Sequence, residues 1–531
     1  MKKYPSLFND VLTPVTPGPS SSATCGPSRL SWVCRQAFGT LPKKMTVEMP
    51  ARSNYPYFYM SMKSDLAFIN GMLNRDPRHT RFAQAYQDAA AEGMEVEFRF
   101  VDDLEIDPIV LVRIIMTGED GHIMTARGSS LGGGAFIIDE IDGCTVDIQG
   151  NHYELLLFCE GKKPAESEAL KQQIEQTAPY FNDVSYSENC NGKAIFDVKL
   201  SCRPDEAEIS RLVSLTGAER FCQADPILPV VASRNLKPIF ETPEEMMEYA
   251  AKTGMKTWEL AIAYEKSVSG WTEEEIWKYA ENLWDVIEAS ERNGYADGLE
   301  FNGIITPKAL KLKELMEEGK GIPMGTLDSS ILSALAIMEY SNASGTIACI
   351  PTAGAAGIVP GAIMGAAKSM HLSREEQIRA LLVSGLAGMF MAKCSFSGSV
   401  GCQAEVGCAV AMAAAALTHF LQGTPQQMCD AASMGIQTTI GLVCDTVCGL
   451  VQSPCMIRNI TGTASATAIA NAVMAGVEAV IPLDEMVEAL MRVGKNLKLT
   501  GCNKLGACKT PTGLKLDKEQ IERNLQAREL I

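Results

Sequence analysis

Three cysteines in the C-terminal half of the chain stand apart from the others. Gly401-Cys402-Gln403-Ala404-Glu405, Val443-Cys444-Asp445 and Pro454-Cys455 each set a thiol beside a glycine, a proline or an ionisable group rather than inside plain helix. A metal or cluster site calls for thiolates at chain bends, where each sulfur reaches inward and backbone N–H groups point at it. The spacings, 42 and then 11 positions, match neither a ferredoxin run nor a zinc ribbon, because no Cys-x-x-Cys pair accompanies them. Residue chemistry alone leaves two readings open: a metal or cluster site, or inert thiols packed as small hydrophobes.

The bulk properties narrow the setting. Seventeen cysteines are present, seven before residue 300 and ten between Cys349 and Cys508. The basic start, Met1-Lys2-Lys3-Tyr4-Pro5, is followed by no apolar stretch of leader length, so the cysteines read as reduced thiols and a cytoplasmic location is expected. The net charge of −17 and the lack of a dense Lys/Arg run argue against nucleic acid as a partner. With 531 residues, 46% of them hydrophobic and 21% charged, the chain is expected to fold into roughly two to four globular domains. Tyr340 to Ala367 is free of charge, yet Pro351, Pro360 and five glycines make it a poor spanning helix. It reads as a buried turn and helix, and no membrane partner is expected.

Several elements must position the three thiols. Residues 1–150 read as an α/β (α+β) domain, with strand-like runs at Val96–Val101, Ile109–Ile115, Ile123–Ala126 and Ala135–Asp139. Leu131-Gly132-Gly133-Gly134 falls between the last two, as a hairpin or bulge or as a ligand-contacting backbone loop. Residues 151–224 follow a βαββαβ order. Pro226, Pro229 and Pro238 mark a linker over 225–240. From 241 to 531 the pattern is helical: Thr242-Pro-Glu-Glu245, Thr272-Glu-Glu-Glu275, Ser373-Arg-Glu-Glu376 and Thr424-Pro-Gln-Gln427 each place a hydroxyl at a helix N-cap with Glu or Gln three residues on. Small apolar runs such as Ala409–Leu417 and Ala464–Val480 let such helices pack closely around a buried centre.

Longer strings carry a resemblance. Asn342-Ala-Ser-Gly-Thr-Ile-Ala-Cys-Ile-Pro-Thr-Ala-Gly-Ala-Ala-Gly357, Ser397-Gly-Ser-Val-Gly-Cys-Gln-Ala-Glu-Val-Gly407, Gly441-Leu-Val-Cys-Asp445, Gly449-Leu-Val-Gln-Ser-Pro-Cys455 and Arg458-Asn459 are similar to the α segment of the iron-sulfur L-serine dehydratases. Leu7-Phe-Asn-Asp10, Gly18-Pro-Ser-Ser-Ser22 and the Gly132–Gly134 loop resemble that family's β segment, so the likeness covers nearly the whole chain in the order β then α. It implies a multidomain fold: the N-terminal α/β part, an ACT-like regulatory domain at 151–224 and a large all-helical catalytic domain. It also implies a [4Fe-4S] cluster held by Cys402, Cys444 and Cys455, with the fourth iron lacking a protein thiolate. Cys349, Cys394, Cys408, Cys429 and Cys448 stay with the reading of buried thiols.

The activity implied is α,β-elimination from L-serine, giving pyruvate and ammonia, with the open iron acting on the substrate hydroxyl and a base taking the Cα proton. Glycine turns and hydroxyls at Ser20, Ser21 and Ser22, at Thr352, Ala353 and Gly354, and at Ser397 and Gly398 are the candidates for holding the substrate carboxylate. One departure matters. The family usually reads Ser-Ser-Ser-His-Thr, whereas this chain has Ser20-Ser21-Ser22-Ala23-Thr24, and a second family histidine is replaced near Met62. The base therefore does not carry over, and Lys63 and Asp65 are the nearest ionisable substitutes. The altered pocket wall leaves room for the same elimination on L-cysteine, L-threonine or another β-hydroxy amino acid, and for a catalytically silent amino-acid sensor. A pyridoxal-phosphate lyase would need a Schiff-base lysine, and no lysine falls in a matching motif. A homodimer is the default assembly.

Overall fold

The computed structural model describes residues 4–53, 55–106, 110–301, 303–394, 396, 400–500 and 506–528. They form two compact units. One runs from Ser22 to Leu236; the other joins Tyr4–Ser21 to everything from Lys237 onward. The chain is thus multidomain, with a sheet-rich N-terminal part and a large helical C-terminal part, as its patterns imply.

The helical unit contains β1 (Val15–Pro17), which follows a π-helical turn over Leu7–Val11. The sheet-rich unit opens with a six-stranded sheet built from β2 (Lys44–Pro50), β3 (Glu95–Val101), β4 (Val110–Thr117), β5 (Ile123–Gly132), β6 (Ala135–Ile141) and β7 (Cys144–Ile148). Their order is β3-β2-β4-β5-β6-β7, and only the β2–β3 pair is parallel. The glycine triplet makes the β5–β6 hairpin: Gly132 pairs with Ala135, and Gly132, Gly133 and Gly134 all take positive φ. Only glycine adopts three such residues in a row without strain. The Gly134 carbonyl accepts a hydrogen bond from Arg29 Nη1 at 2.9 Å.

Downstream lie β8 (Tyr153–Glu160), β9 (Phe181–Glu188), β10 (Lys193–Leu200) and β11 (Arg220–Ala224), with helices Pro164–Thr177 and Glu206–Thr216 between them. This is a βαββαβ chain order in an antiparallel sheet ordered β11-β8-β10-β9. Leu155, Leu157 and Cys159, alternating along β8, pack with Ile174 and Leu212 from the two helices. The proline-bearing stretch that follows is tied down rather than loose. Ile227 and Leu228 donate backbone N–H groups to the Gly150 carbonyl, and Ala232 donates to that of Asn151.

In the helical unit all four expected start signals act as N-caps. Glu245, Glu275, Glu376 and Gln427 each donate a backbone N–H to the hydroxyl of Thr242, Thr272, Ser373 or Thr424 at 3.2 Å. Thr272 and Thr424 complete reciprocal capping boxes. At the centre runs the helix Cys408–Phe420, buried at every residue from Cys408 to Thr418. A helix apolar on all sides belongs in a core. Helices Ile358–Met370, Arg374–Met391, Pro425–Thr439 and Cys455–Met474 surround it. Gly435 meets Ala411 so closely that a Cβ there would lie 2.5 Å from the Ala411 Cα, which is why small residues fill this seam. The uncharged Tyr340–Ala367 stretch is the end of one helix, a strand, a turn and the start of another. No helix among the described residues is long and apolar enough to cross a membrane.

Residues 4–21 belong with this unit and not with the α/β part that follows them in sequence. Two contacts make the difference. β1 pairs antiparallel with β12 (Thr346–Ala348), setting Val15 opposite Ala348 and Pro17 opposite Thr346. Ser6 Oγ and the Leu7 N–H both donate to the buried Glu265 carboxylate, at 2.7 and 2.8 Å.

Candidate functional site

Cys402 follows Gly401, whose φ of +95° and approach to the Leu442 carbonyl exclude a side chain. Gln403, fully buried, then stitches two segments together. Its backbone N–H donates to the Leu442 carbonyl at 3.1 Å, its Oε1 accepts from Gly441 N–H at 2.8 Å, and its Nε2 donates to the Val400 and Leu490 carbonyls. The Cys402 bend and the Cys444 stretch are thereby held side by side. Cys455 opens the Cys455–Met474 helix directly after Pro454.

Cys455 lies within electrostatic range of both Cys402 and Cys444. Burial, followed by the charges of Cys402 and Cys444, pushes the Cys455 thiol well above its ordinary range. Burial and then Glu405 raise Cys402 to about 12. Cys402 and Cys455 are buried, while Cys444 is partly exposed. Among the described residues no group of three or more His, Cys, Asp or Glu side chains is placed to hold a metal ion.

Arg458, one helical turn after Cys455, is the cation of this interior. Its Nη1 donates to the Val443 carbonyl at 3.0 Å, its Nη2 pairs with Asp445 Oδ1 at 2.9 Å, and its guanidinium hydrogen-bonds the Cys402 sulfur. Asp445 Oδ2 in turn accepts from the Ala507 N–H at 2.9 Å.

Asn459, on the next position and fully buried, ties the turn around Thr352 to the same helix. Oδ1 accepts from Gly357 N–H at 3.0 Å; Nδ2 donates to the Gly354 and Cys455 carbonyls, each at 2.8 Å. Ser21 Oγ accepts from Ala353 N–H at 3.3 Å, so Ser21, Thr352, Ala353 and Gly354 form one turn-lined wall, with Ser20 buried next in chain. The Thr352 hydroxyl, buried and without a hydrogen-bond partner among the described residues, faces the same side of Gly354 as Glu405. A Cβ on Gly354 would stand 3.7 Å from Glu405 Oε1. Burial pushes the Glu405 carboxyl up to about 7, while Thr352 and Arg458 pull it back.

Other expected site residues fall elsewhere. Ser397 and Gly398 lie outside the described residues. Ser22, Lys63 and Asp65 belong to the sheet-rich unit. There the two positions that lack histidine come together: Thr24 Oγ1 donates to the Met62 carbonyl at 2.7 Å, and Ser64 Oγ donates to that of Ala23. Lys63 takes a left-handed φ of +58° ahead of the helix Ser64–Met72. Asp65 is buried; desolvation raises its carboxyl to about 6, and Tyr86 donates to it at 3.3 Å.

Sequence reading assigned no role to Glu405, Arg458 or Asn459. A usable signal was present: Glu405 and Arg458 each follow a site cysteine by three positions, and Asn459 follows Cys455 by four, spacings that share a helix face.

Comparison with known proteins agrees with this architecture. Residues 252–501 match the family described as serine dehydratase alpha chain. The probable L-serine dehydratase alpha chain of Bacillus subtilis (strain 168) is 35% identical over 297 residues, 55% of this chain and 98% of that relative. The L-serine dehydratase alpha chain of Peptoniphilus asaccharolyticus is 35% identical over 287 residues, 52% of this chain and 98% of its own. L-serine dehydratase 1 of Escherichia coli (strain K12) is 31% identical over 267 residues, 49% of this chain and 58% of that protein. The matches cover 98% of each of two alpha chains at this identity: the protein belongs to the L-serine dehydratase family.

Proposed function

We propose that this protein is a lyase that converts L-serine to pyruvate and ammonia, and that Cys402, Cys444 and Cys455 hold a [4Fe-4S] cluster. The observation that supports the reading is that Cys455 lies within electrostatic range of Cys402 and Cys444, three thiols from separate stretches of chain, two of them buried and one partly so. Three thiolates repel one another there, and each is costly to bury uncompensated. A cationic cluster offsets both terms, since metal ligation removes the thiol protons.

When bound, the cluster supplies a Lewis-acidic iron that makes the serine hydroxyl a better leaving group. The turn formed by Thr352, Ala353 and Gly354, braced by Ser21 and Asn459, holds the substrate carboxylate through backbone N–H groups and hydroxyls. Glu405 stands against the Thr352 hydroxyl and takes the Cα proton. Asp445, the other carboxylate of this interior, is already committed to Arg458 and Ala507. Loss of hydroxide then leaves an enamine, which tautomerises and hydrolyses to the oxo acid. The βαββαβ segment at 151–224 is assigned an ACT-type regulatory role on its strand order.

The test is anaerobic purification with iron and sulfide analysis, followed by pyruvate and ammonia assays on L-serine, L-threonine and L-cysteine. The expected result is brown, air-sensitive protein that favours serine. Colourless protein with full turnover overturns the cluster, and cluster-loaded protein that releases no oxo acid from any substrate overturns the lyase. Glu405→Gln is expected to lower kcat by about 10²–10⁴ with iron content intact, the range for a lost general base. Should Asp65→Asn show that loss instead, the base is Asp65.

A further inference from the structure

The loop that runs from Cys444 to Cys455 is gripped from outside. Directly after Cys444, Asp445 Oδ2 accepts the Ala507 N–H at 2.9 Å, and further along the loop the Cys448 N–H donates to Asp517 Oδ1 at 2.6 Å. The loop also closes on itself, Val447 donating to the Ser453 carbonyl at 3.0 Å and Leu450 to that of Val447 at 3.1 Å. Val447, Cys448 and Leu450 are buried together, with Ala507 and Leu516 packed against them.

Both outside partners belong to the C-terminal segment, which meets the loop through the turn Ala507–Lys509 and the helix Pro511–Arg528. This segment lies beyond residues 252–501, the stretch that matches the serine dehydratase alpha chain family. The fit is close: at Gly506, whose φ is +84°, a Cβ would lie 2.5 Å from Asp445 Oδ2. Between Pro511 and Asn524 only Gly513 and Asn524 are buried. A helix with so little apolar face is not placed by hydrophobic packing alone, so its bond through Asp517 is a specific attachment. Cys448 shows what that attachment does. Its φ of +58° is left-handed, a conformation that a residue with a side chain keeps only where its surroundings hold it. A carboxylate accepting the N–H of that same residue supplies a charge-assisted bond at the strained point.

We propose that Asp517 is a positioning residue of the site: from the C-terminal helix it holds Cys448 in its left-handed turn and thereby fixes where the loop presents the Cys444 thiol. Asp517 acts only through the loop. The use of Cys444 as a cluster ligand rests on the function proposed above, whereas the grip of the helix on the loop does not.

Full-length protein is freed of metal with a chelator under nitrogen and labelled with iodoacetamide, and each cysteine is followed by peptide mass analysis. Labelling of Cys444, which is partly exposed, should rise about tenfold in Asp517→Ala, the scale of one lost bond to a charged acceptor. Asp517→Asn keeps an oxygen for the Cys448 N–H and should restore the native rate. Cys402, buried and held by other contacts, should label at the native rate in every variant. An unchanged Cys444 rate in Asp517→Ala overturns the proposal, and so does an equal rise at Cys402, which would report general loosening. Hydrogen exchange on the unaltered protein decides the matter even if the variants do not fold. Backbone amides of residues 446–450 and 512–524 should open together; a helix that exchanges freely beside a protected loop overturns the grip. Iron bound by the native protein, measured alongside, keeps the two readings apart: iron-free protein sinks the cluster, and the labelling and exchange results still decide the role of Asp517.

Discussion

Arg458 and Asp445 form an ion pair at 2.9 Å, and both side chains are largely withdrawn from solvent, 17% and 8% exposed. Their pairing joins the helix that begins at Cys455 to the stretch that holds Cys444. Removing the cation leaves a buried carboxylate without its partner, which costs more than the pair itself contributes. Arg458→Met is expected to lose about 3 kcal/mol of stability, read by chemical denaturation. Arg458→Lys keeps the charge but not the fork that reaches Val443 and Asp445 together, and should fall between the two.

Each thiol of the trio should matter to metal content, and equally buried thiols elsewhere should not. Cys402→Ser, Cys444→Ser and Cys455→Ser are expected to lower iron bound per chain after anaerobic preparation, with the visible absorbance falling alongside. Cys429→Ser, at a site 3% exposed and outside the trio, is expected to keep both. Equal iron in all four variants would remove the cluster assignment.

Asn459 offers a separable effect. Replacing it with Leu preserves approximate size but strands the Gly357 N–H and the Gly354 carbonyl, at roughly 1–3 kcal/mol for each buried group left unpaired. The turn around Thr352 should loosen, raising KM for serine more than it lowers kcat. Steady-state kinetics on protein of matched iron content checks the split.

Glu265 makes stability depend on pH. Burial lifts its carboxyl from 4.5 to about 7, against the opposing bonds from Ser6 and Leu7. A carboxyl raised in the folded state is held more tightly as its protonated form than in the unfolded chain. Its contribution is therefore complete below about pH 4.5 and is lost as pH rises through 7, on the order of 3 kcal/mol in total. Between pH 5 and 8 the Tm of the native protein should decline more steeply than that of Glu265→Gln, whose side chain does not titrate. Parallel Tm profiles would show that Glu265 does not titrate in this window.

Much of the fold could be read from local pattern. The four helix starts were legible because an N-cap is a contract between residues three apart, and the glycine triplet because three positive-φ residues in sequence suit a hairpin. What depends on distant pairing was not legible. β1 shows no local sign that its partner is Thr346–Ala348, so the opening segment was grouped with the sheets that follow it in sequence. The approach of the Cys402 bend to the Cys444 stretch is likewise invisible in their spacing. It results from the bonds that Gln403 makes to Gly441 and Leu442, and only the resemblance of the surrounding strings pointed to it. Glu405 and Arg458 were quoted in those strings without a role, because a charged residue near a cysteine gains meaning only once neighbouring segments are seen to crowd it.

The placement of Tyr4–Ser21 with residues beyond Lys237 makes the sheet-rich unit an insertion inside the helical one. During synthesis, then, residues 4–21 leave the ribosome well before the residues beyond Lys237 with which they form one unit. At ordinary elongation rates Val15 waits on the order of tens of seconds for Ala348 to emerge, and through that interval Leu7, Phe8 and Val11, all fully buried in the finished protein, have no helical core to enter. A nascent chain stalled before residue 346 should therefore be protease-sensitive over residues 4–21 even after its inserted unit has folded.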